Sequence, residues 1–185
     1  MNPDWIGGIS NELSYKDFTL SFLIDFQQGG SVFSLDNWYG VGTGMYVETA
    51  DNNDLGNPQR DPVSEGGGII LDGVKEDGSP NDIRIESDIF AEGWVSSPNA
   101  RFVYDANYIK LRELVFTYSL PKSLMNRSPL AGASISFVGS NLWIINKSLP
   151  HADPEANQGA GNIQGWQSGV MPSTRNFGFS INLQF

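Results

Sequence analysis

The most regular stretch of the chain is FTLSFLIDFQ, where Phe18, Leu20, Phe22, Ile24 and Phe26 alternate with Thr19, Ser21, Leu23, Asp25 and Gln27. A period of two with one apolar and one mostly polar face predicts a strand. Just before it, Ile9, Leu13 and Tyr15 share a face interrupted by Asn11, with Ser10, Glu12 and Ser14 opposite, so Lys16–Asp17 reads as a hairpin turn. In YIKLRELVFTYSLP the later half alternates cleanly, Leu114, Phe116, Tyr118 and Leu120 against Glu113, Val115, Thr117 and Ser119. Its earlier half is out of phase: Ile109 and Leu111 share parity with Glu113, and Lys110 and Arg112 fall on the apolar side. Residues 108–112 therefore lie beyond the apolar zone or hold a bulge, and Pro121 ends the strand. A fourth strand sets Ile135 and Phe137 against Ser134 and Ser136, and the chain finishes on FGFSINLQF, with Phe177, Phe179, Ile181, Leu183 and Phe185 two apart. The pattern predicts strands near 6–15, 18–27, 108–120, 133–145 and 174–185.

The connections are unequal. Residues 28–107 and 146–173 are long and rich in Gly, Asn and Pro, whereas the turns after Tyr15 and Leu120 are short. So long a loop is rare in a compact domain. Within 28–107 only Ile69–Leu71 stands out as a strand, and neither an internal repeat nor a domain linker is evident.

Two-faced strands fit two solvents. In a sandwich the apolar face lines a core; in an outer-membrane barrel it meets lipid and the polar face meets the lumen. Nine residues at ~3.3 Å span roughly 30 Å, and a ~40° tilt leaves about 23 Å, close to the ~25 Å apolar band of such barrels. Alternating short and long connections match periplasmic turns and extracellular loops. The expected fold is thus all-β: an antiparallel meander of about five long strands, part of a larger transmembrane barrel, since the smallest barrels need about eight. Tyr15, Trp143 and Phe185 would then sit in interfacial girdles.

Composition agrees. Glycine supplies 21 residues, and charged residues make up 17%, against about 25% in typical soluble proteins. The absence of cysteine excludes disulfides and thiolate metal sites. The formal charge of −10 argues against a nucleic-acid partner. All of it resides in residues 28–107, with 14 acidic against 4 basic side chains; the rest of the chain is neutral. No stretch reaches the ~20 apolar residues of a membrane helix, and MNPDWIGGIS has neither the basic start nor the apolar run of a signal peptide.

NPDWIGGISNELSYKDFTLSFLIDFQQGG, RFVYDANYIKLRELVFTYSLPKSL, SISFVGSNLWI, HADPEA and MPSTRNFGFSINLQF resemble, in that order, the C-terminal end of the SusC/RagA family of TonB-dependent outer-membrane receptors. The likeness covers both ends and about 60% of the chain, but not the acidic loop. It implies a 22-stranded, multi-pass barrel in the outer membrane of a Gram-negative cell, filled by an N-terminal plug and importing glycan or peptide fragments. It also implies a SusD-like surface lipoprotein over the mouth and energy relayed by the TonB complex through the N-terminal part. These 185 residues hold neither plug nor TonB box, so no transport is expected from them alone. The resemblance further implies that Phe177, Phe179, Ile181, Leu183 and Phe185 form an assembly signal read by the barrel assembly machinery, besides facing outer-membrane lipid. Tyr108, Lys110, Leu111, Arg112 and Asn141 lie in well-matched segments, but no chemistry attaches to them.

Remaining chemistry is sparse. Trp38, Tyr39, Trp94 and Trp166 sit among polar loop residues and are candidates for contact with a sugar ring, although loop packing explains them as well. Asp51, Asn53 and Asp54 offer hard oxygen ligands for calcium without the spacing of an EF-hand, and a solvated acidic loop accounts for them equally. No metal or cofactor is expected otherwise. His151, the sole histidine, has no nucleophile partner, and GGG at Gly66–Gly68 lacks the Lys-Ser/Thr of a phosphate loop. The chain is expected not to be an enzyme. A secreted soluble β-sandwich that binds carbohydrate is the alternative; it requires the C-terminal apolar residues to be buried against a second sheet.

Overall fold

The computed structural model describes residues 2–87, 99–126, 129–156 and 164–185. The chain folds as two compact units, Met1–Val32 with Tyr104–Phe185, and Phe33–Val103.

The first unit is built on five long strands: β1 (Trp5–Tyr15), β2 (Phe18–Gln28), β3 (Tyr108–Ser119), β4 (Gly132–Lys147) and β5 (Asn176–Gln184). Their order in the sheet is their order in the chain, and every neighbouring pair is antiparallel. This is the expected meander. Two-residue closure of the first hairpin pairs Tyr15 with Phe18, and Lys16 takes a φ of 54°, the positive value that tight hairpin turns require. After β3, Pro121 diverts the chain into a one-turn helix, Lys122–Met125, before β4 returns.

Register makes the two faces continuous. Tyr15, Phe18, Tyr118, Ile135 and Ile181 are successive cross-strand partners, and so are Leu13, Leu20, Phe116, Phe137 and Phe179. Rings meet along these rows, Phe18 stacking at 4.8 Å on Tyr118 and Phe137 meeting Phe179 edge-on at 5.6 Å. The intervening row on the other face is Ser14, Thr19, Thr117, Ser136 and Ser180. It forms a ladder of hydroxyls, with Ser14 bonded to Thr19 at 3.0 Å and Thr117 to Ser136 at 2.8 Å.

The phase break in β3 is a bulge. Leu23 pairs with Glu113 and Ile24 with Leu111, leaving Arg112 as the extra residue. Ile109 and Leu111 thereby return to the apolar face, opposite Phe26 and Ile24, and Lys110 lies on the polar face opposite Asp25. Of the two explanations open from the sequence, the bulge is the one observed. Opposite it β4 leaves Asn141 and Leu142 unpaired, with Asn141 at φ 52°. A small core of Val32, Ala106 and Leu149, flanked by Tyr104 and Ala152, lies beyond the strands at this end.

The second unit, read from sequence as a long loop in which only Ile69–Leu71 stood out, has its own hydrogen-bonded framework. Helix α1 (Leu35–Gly42) starts at Ser34, whose Oγ accepts from Asn37 N–H. Ile69–Ile70 pairs antiparallel with Arg84–Ile85. Two loops repeat one design, contrary to the absence of repeats expected from sequence: Asn53 N–H bonds Asn57 O and Lys75 N–H bonds Ser79 O. Bridges Asn52–Pro58 and Val74–Pro80 close them, and Gly56 and Gly78 each stand at φ 81°. Only that glycine and the following proline position recur as residues, which is why sequence alone did not reveal the repeat. Within Gly66–Gly68, Gly67 is required by close approach, since a Cβ there would fall 1.8 Å from Asp61 O.

Candidate functional site

The C-terminal apolar residues are open. Phe177, Phe179, Ile181, Leu183 and Phe185 are 65%, 79%, 67%, 48% and 88% exposed, on the edge strand of the sheet. No second sheet covers their face among the described residues, which overturns the soluble-sandwich alternative: its core would bury these side chains. Tyr15 and Phe185 lie toward one end of the sheet and Trp143, opposite Leu111, toward the other; all three are exposed.

On the polar face the strands converge on one ion network. Lys110 is 2% exposed and its Nζ donates to Asp153 Oδ1 and Glu155 Oε2, both at 2.5 Å. Asp153, almost as buried, also accepts from Ser173 Oγ at 2.5 Å and from Glu155 N–H at 3.0 Å. Glu155 Oε1 accepts from Arg112 Nη2 at 2.7 Å and from Tyr108 OH at 3.0 Å. The Arg112 guanidinium, displaced by the bulge, further donates to Asp25 Oδ2 through Nε at 3.0 Å and Nη2 at 2.6 Å, and to Asn141 Oδ1 at 2.7 Å. Thus β2, β3 and the first part of the last long loop supply the charges, and β4 and Ser173 at the end of that loop supply hydrogen-bond partners.

Burial alone would push the carboxyl groups of Asp153 and Glu155 up. Hydrogen bonds from Lys110 to both, from Ser173 to Asp153 and from Arg112 to Glu155 outweigh it and hold both below their ordinary values. Both are therefore ionised at neutral pH, and the network is a charge-neutralised cluster rather than an acid–base pair.

The other candidate residues are divided between the two units. Trp38 and Tyr39 are neighbours on α1, rings edge-to-face at 5.0 Å. Trp166, in the other unit, belongs to a two-residue strand and is 39% exposed; Trp94 lies outside the described residues. Asn53 spends its amide on its own unit, accepting from Leu55 and Asn57 N–H and donating to Gly66 and Gly68 O. Asp54 pairs with Arg84 at 2.5 Å. Among the described residues no group of three acidic or histidine side chains is placed to hold a metal. The sequence reading gave no role to Asp25, Asp153, Glu155 or Ser173; the misplaced parity of Lys110 and Arg112 was the available signal.

No family model matches the chain. It is 28% identical over 189 residues to TonB-dependent receptor P3 of Formosa agariphila, covering 99% of this chain and 16% of that protein. A second relative, TonB-dependent receptor P26 of the same organism, is 28% identical over 192 residues and is covered to 17%. The fold is similar to that of the RagAB peptide importer in its open-open and closed-closed states. The TM-score is 0.62 for both, with 20% and 21% identity, and the match covers all of this chain and 17% of those chains. The chain spans about one-sixth of the length of these proteins. Along its whole length the chain is thus similar to a part of TonB-dependent receptors. Its fold is shared with a part of the RagAB importer.

Proposed function

We propose that this chain forms the last five wall strands of an outer-membrane nutrient receptor, with the Phe179 face against lipid and the Ser180 face toward the lumen. The observation that carries the reading is the apolar face, in register across all five strands, broken on β1 by Asn11, exposed on β1 and β5 and half-exposed on β2. Eleven-residue strands at ~3.3 Å per residue, tilted by ~40°, rise about 28 Å, enough to cross a ~25 Å apolar band. Among the described residues β1 and β5 each pair with one neighbouring strand, and further strands of the receptor would pair with their other edges. The receptor imports glycan or peptide fragments with a SusD-like lipoprotein and energy from TonB, and this segment alone does not transport. The similarity to a peptide importer keeps peptides among the cargo classes. The C-terminal strand, Phe177 to Phe185, is the mark by which the assembly machinery recognises the barrel.

The faces are tested in the full-length receptor by comparing Phe179→Arg with Ser180→Arg. A cation at mid-depth on the lipid face costs about 2–4 kcal/mol, so Phe179→Arg lowers the folded receptor recovered from outer membranes. Ser180→Arg has a much smaller effect. Equal losses from the two refute the assignment.

A further inference from the structure

We propose that residues 149–156 form a strap buckled onto the polar face by Lys110 and Arg112, closed while Asp153 and Glu155 are ionised and released when they are protonated. Apolar packing and hydrogen bonds fix the near end of the strap: Leu149 is fully buried against Val32 and Ala106, and Ser148 N–H donates to Asn107 O at 3.1 Å. Lys147 Nζ donates to Ala152 O at 2.7 Å. From there to Ala156, Pro154 and Ala156 are buried as well, and the charged attachment is that of Asp153 and Glu155. Asp153 and Glu155 are its only two carboxylates, and both end on cations from β3.

The charged and titratable groups around them are Asp25 from β2, Tyr108, Lys110 and Arg112 from β3, Lys147 from β4, and His151 within the strap. Three acidic side chains, Asp25, Asp153 and Glu155, thus face three basic ones, Lys110, Arg112 and Lys147, the last pushed down by burial, and protonating Asp153 and Glu155 removes the partners of Lys110. Because both carboxyls are held low, their contribution is complete above the ordinary carboxylate values of ~3.9 and ~4.3 and is lost as pH falls below them. A pair as buried as Lys110–Asp153 is screened weakly by salt. The strap is therefore resistant to salt and mild acid and sensitive to strong acid. Resting on the lumen assignment above, a closed strap stands on the inner side of the wall and its release widens the passage there.

Hydrogen exchange of the full-length receptor in detergent reads the strap directly, through Glu155 N–H, bonded to Asp153 Oδ1, and Ala156 N–H, bonded to Asp153 O. Protection corrected for intrinsic chemistry should persist in 1 M salt at neutral pH. It should fall reversibly below the ordinary carboxylate range while β3 and β4 amides stay protected. Glu155→Gln should raise exchange at both amides about tenfold at neutral pH, as losing charged hydrogen bonds implies, and Glu113→Gln, on β3 outside the cluster, should not. The proposal is overturned by acid leaving strap protection unchanged, by strap and strands opening together, or by Glu155→Gln matching the wild type. The wild-type titration stands even if a variant fails to assemble. It is also independent of which face meets lipid, so its failure is distinguishable from failure of the lumen assignment, which the Phe179 and Ser180 substitutions address.

Discussion

Replacing Lys110 by methionine isolates the energetic weight of the buried cation. Methionine keeps most of the stem volume, so packing changes little and the loss is chiefly electrostatic. Asp153, 3% exposed at its side chain, would retain Ser173 Oγ and the Glu155 N–H but lose its direct ion pair. Orphaning a buried ion in this way costs about 3–5 kcal/mol. Glu155 adds little to that figure, because its side chain is 32% exposed and it keeps Arg112 and Tyr108. The exposed pair Lys75–Asp82 provides the contrast: with side chains 32% and 73% exposed, Lys75→Met should cost about 0–1 kcal/mol. Adding Asp153→Leu to Lys110→Met removes both charges and should recover most of the loss, leaving about 1–2 kcal/mol for the donors of Ser173 and Glu155. Guanidinium unfolding of the full-length receptor in micelles gives all four corners of the cycle. A cost below about 1 kcal/mol for Lys110→Met, or a double variant no more stable than the single, refutes the reasoning.

Two further outcomes follow from the same geometry. Gly67→Ala forces a Cβ onto the Asp61 backbone and should disrupt the 33–103 unit, whereas Gly56→Ala, at φ 81° with open space around it, should cost about 1–2 kcal/mol; limited proteolysis of that unit ranks the two, and equal susceptibility contradicts the distinction. Phe185→Ser removes the terminal ring, 88% exposed and beyond the last paired residue, and should lower the yield of assembled receptor without changing the melting temperature of what does assemble; an unchanged yield argues against a role in assembly.

The strands were legible because each carries its own period. Phe18 to Phe26 and Phe177 to Phe185 alternate without a break, and no local preference competes with that reading. The order of strands was legible too, since short connections after Tyr15 and Leu120 allow only adjacent antiparallel pairing. The ion network was not, because its partners are distant in sequence: Arg112 and Asp25 are 87 residues apart, Lys110 and Asp153 are 43. Only pairing and the bulge bring them to one place. The 33–103 unit escaped for a different reason. It is organised by side chains such as Asn53 and Arg60 bonding backbone groups, and such bonds leave no periodic trace.

The bulge at Arg112 also governs which changes in chain length β3 can survive. Deleting Arg112 would set Leu111 directly beside Glu113 with the same partners on β2, so Ile109 and Leu111 would keep the apolar face and Lys110 the polar one; what would be lost is the guanidinium that joins Asp25, Asn141 and Glu155. Drawing Arg112 into the ladder has the opposite effect: it would stand opposite Ile24, Leu111 opposite Asp25 and Lys110 opposite Phe26, turning residues 108–111 over as a block. The extra residue acts as a frame marker for this half of the strand, and what β3 must preserve is the number of paired residues on either side of it.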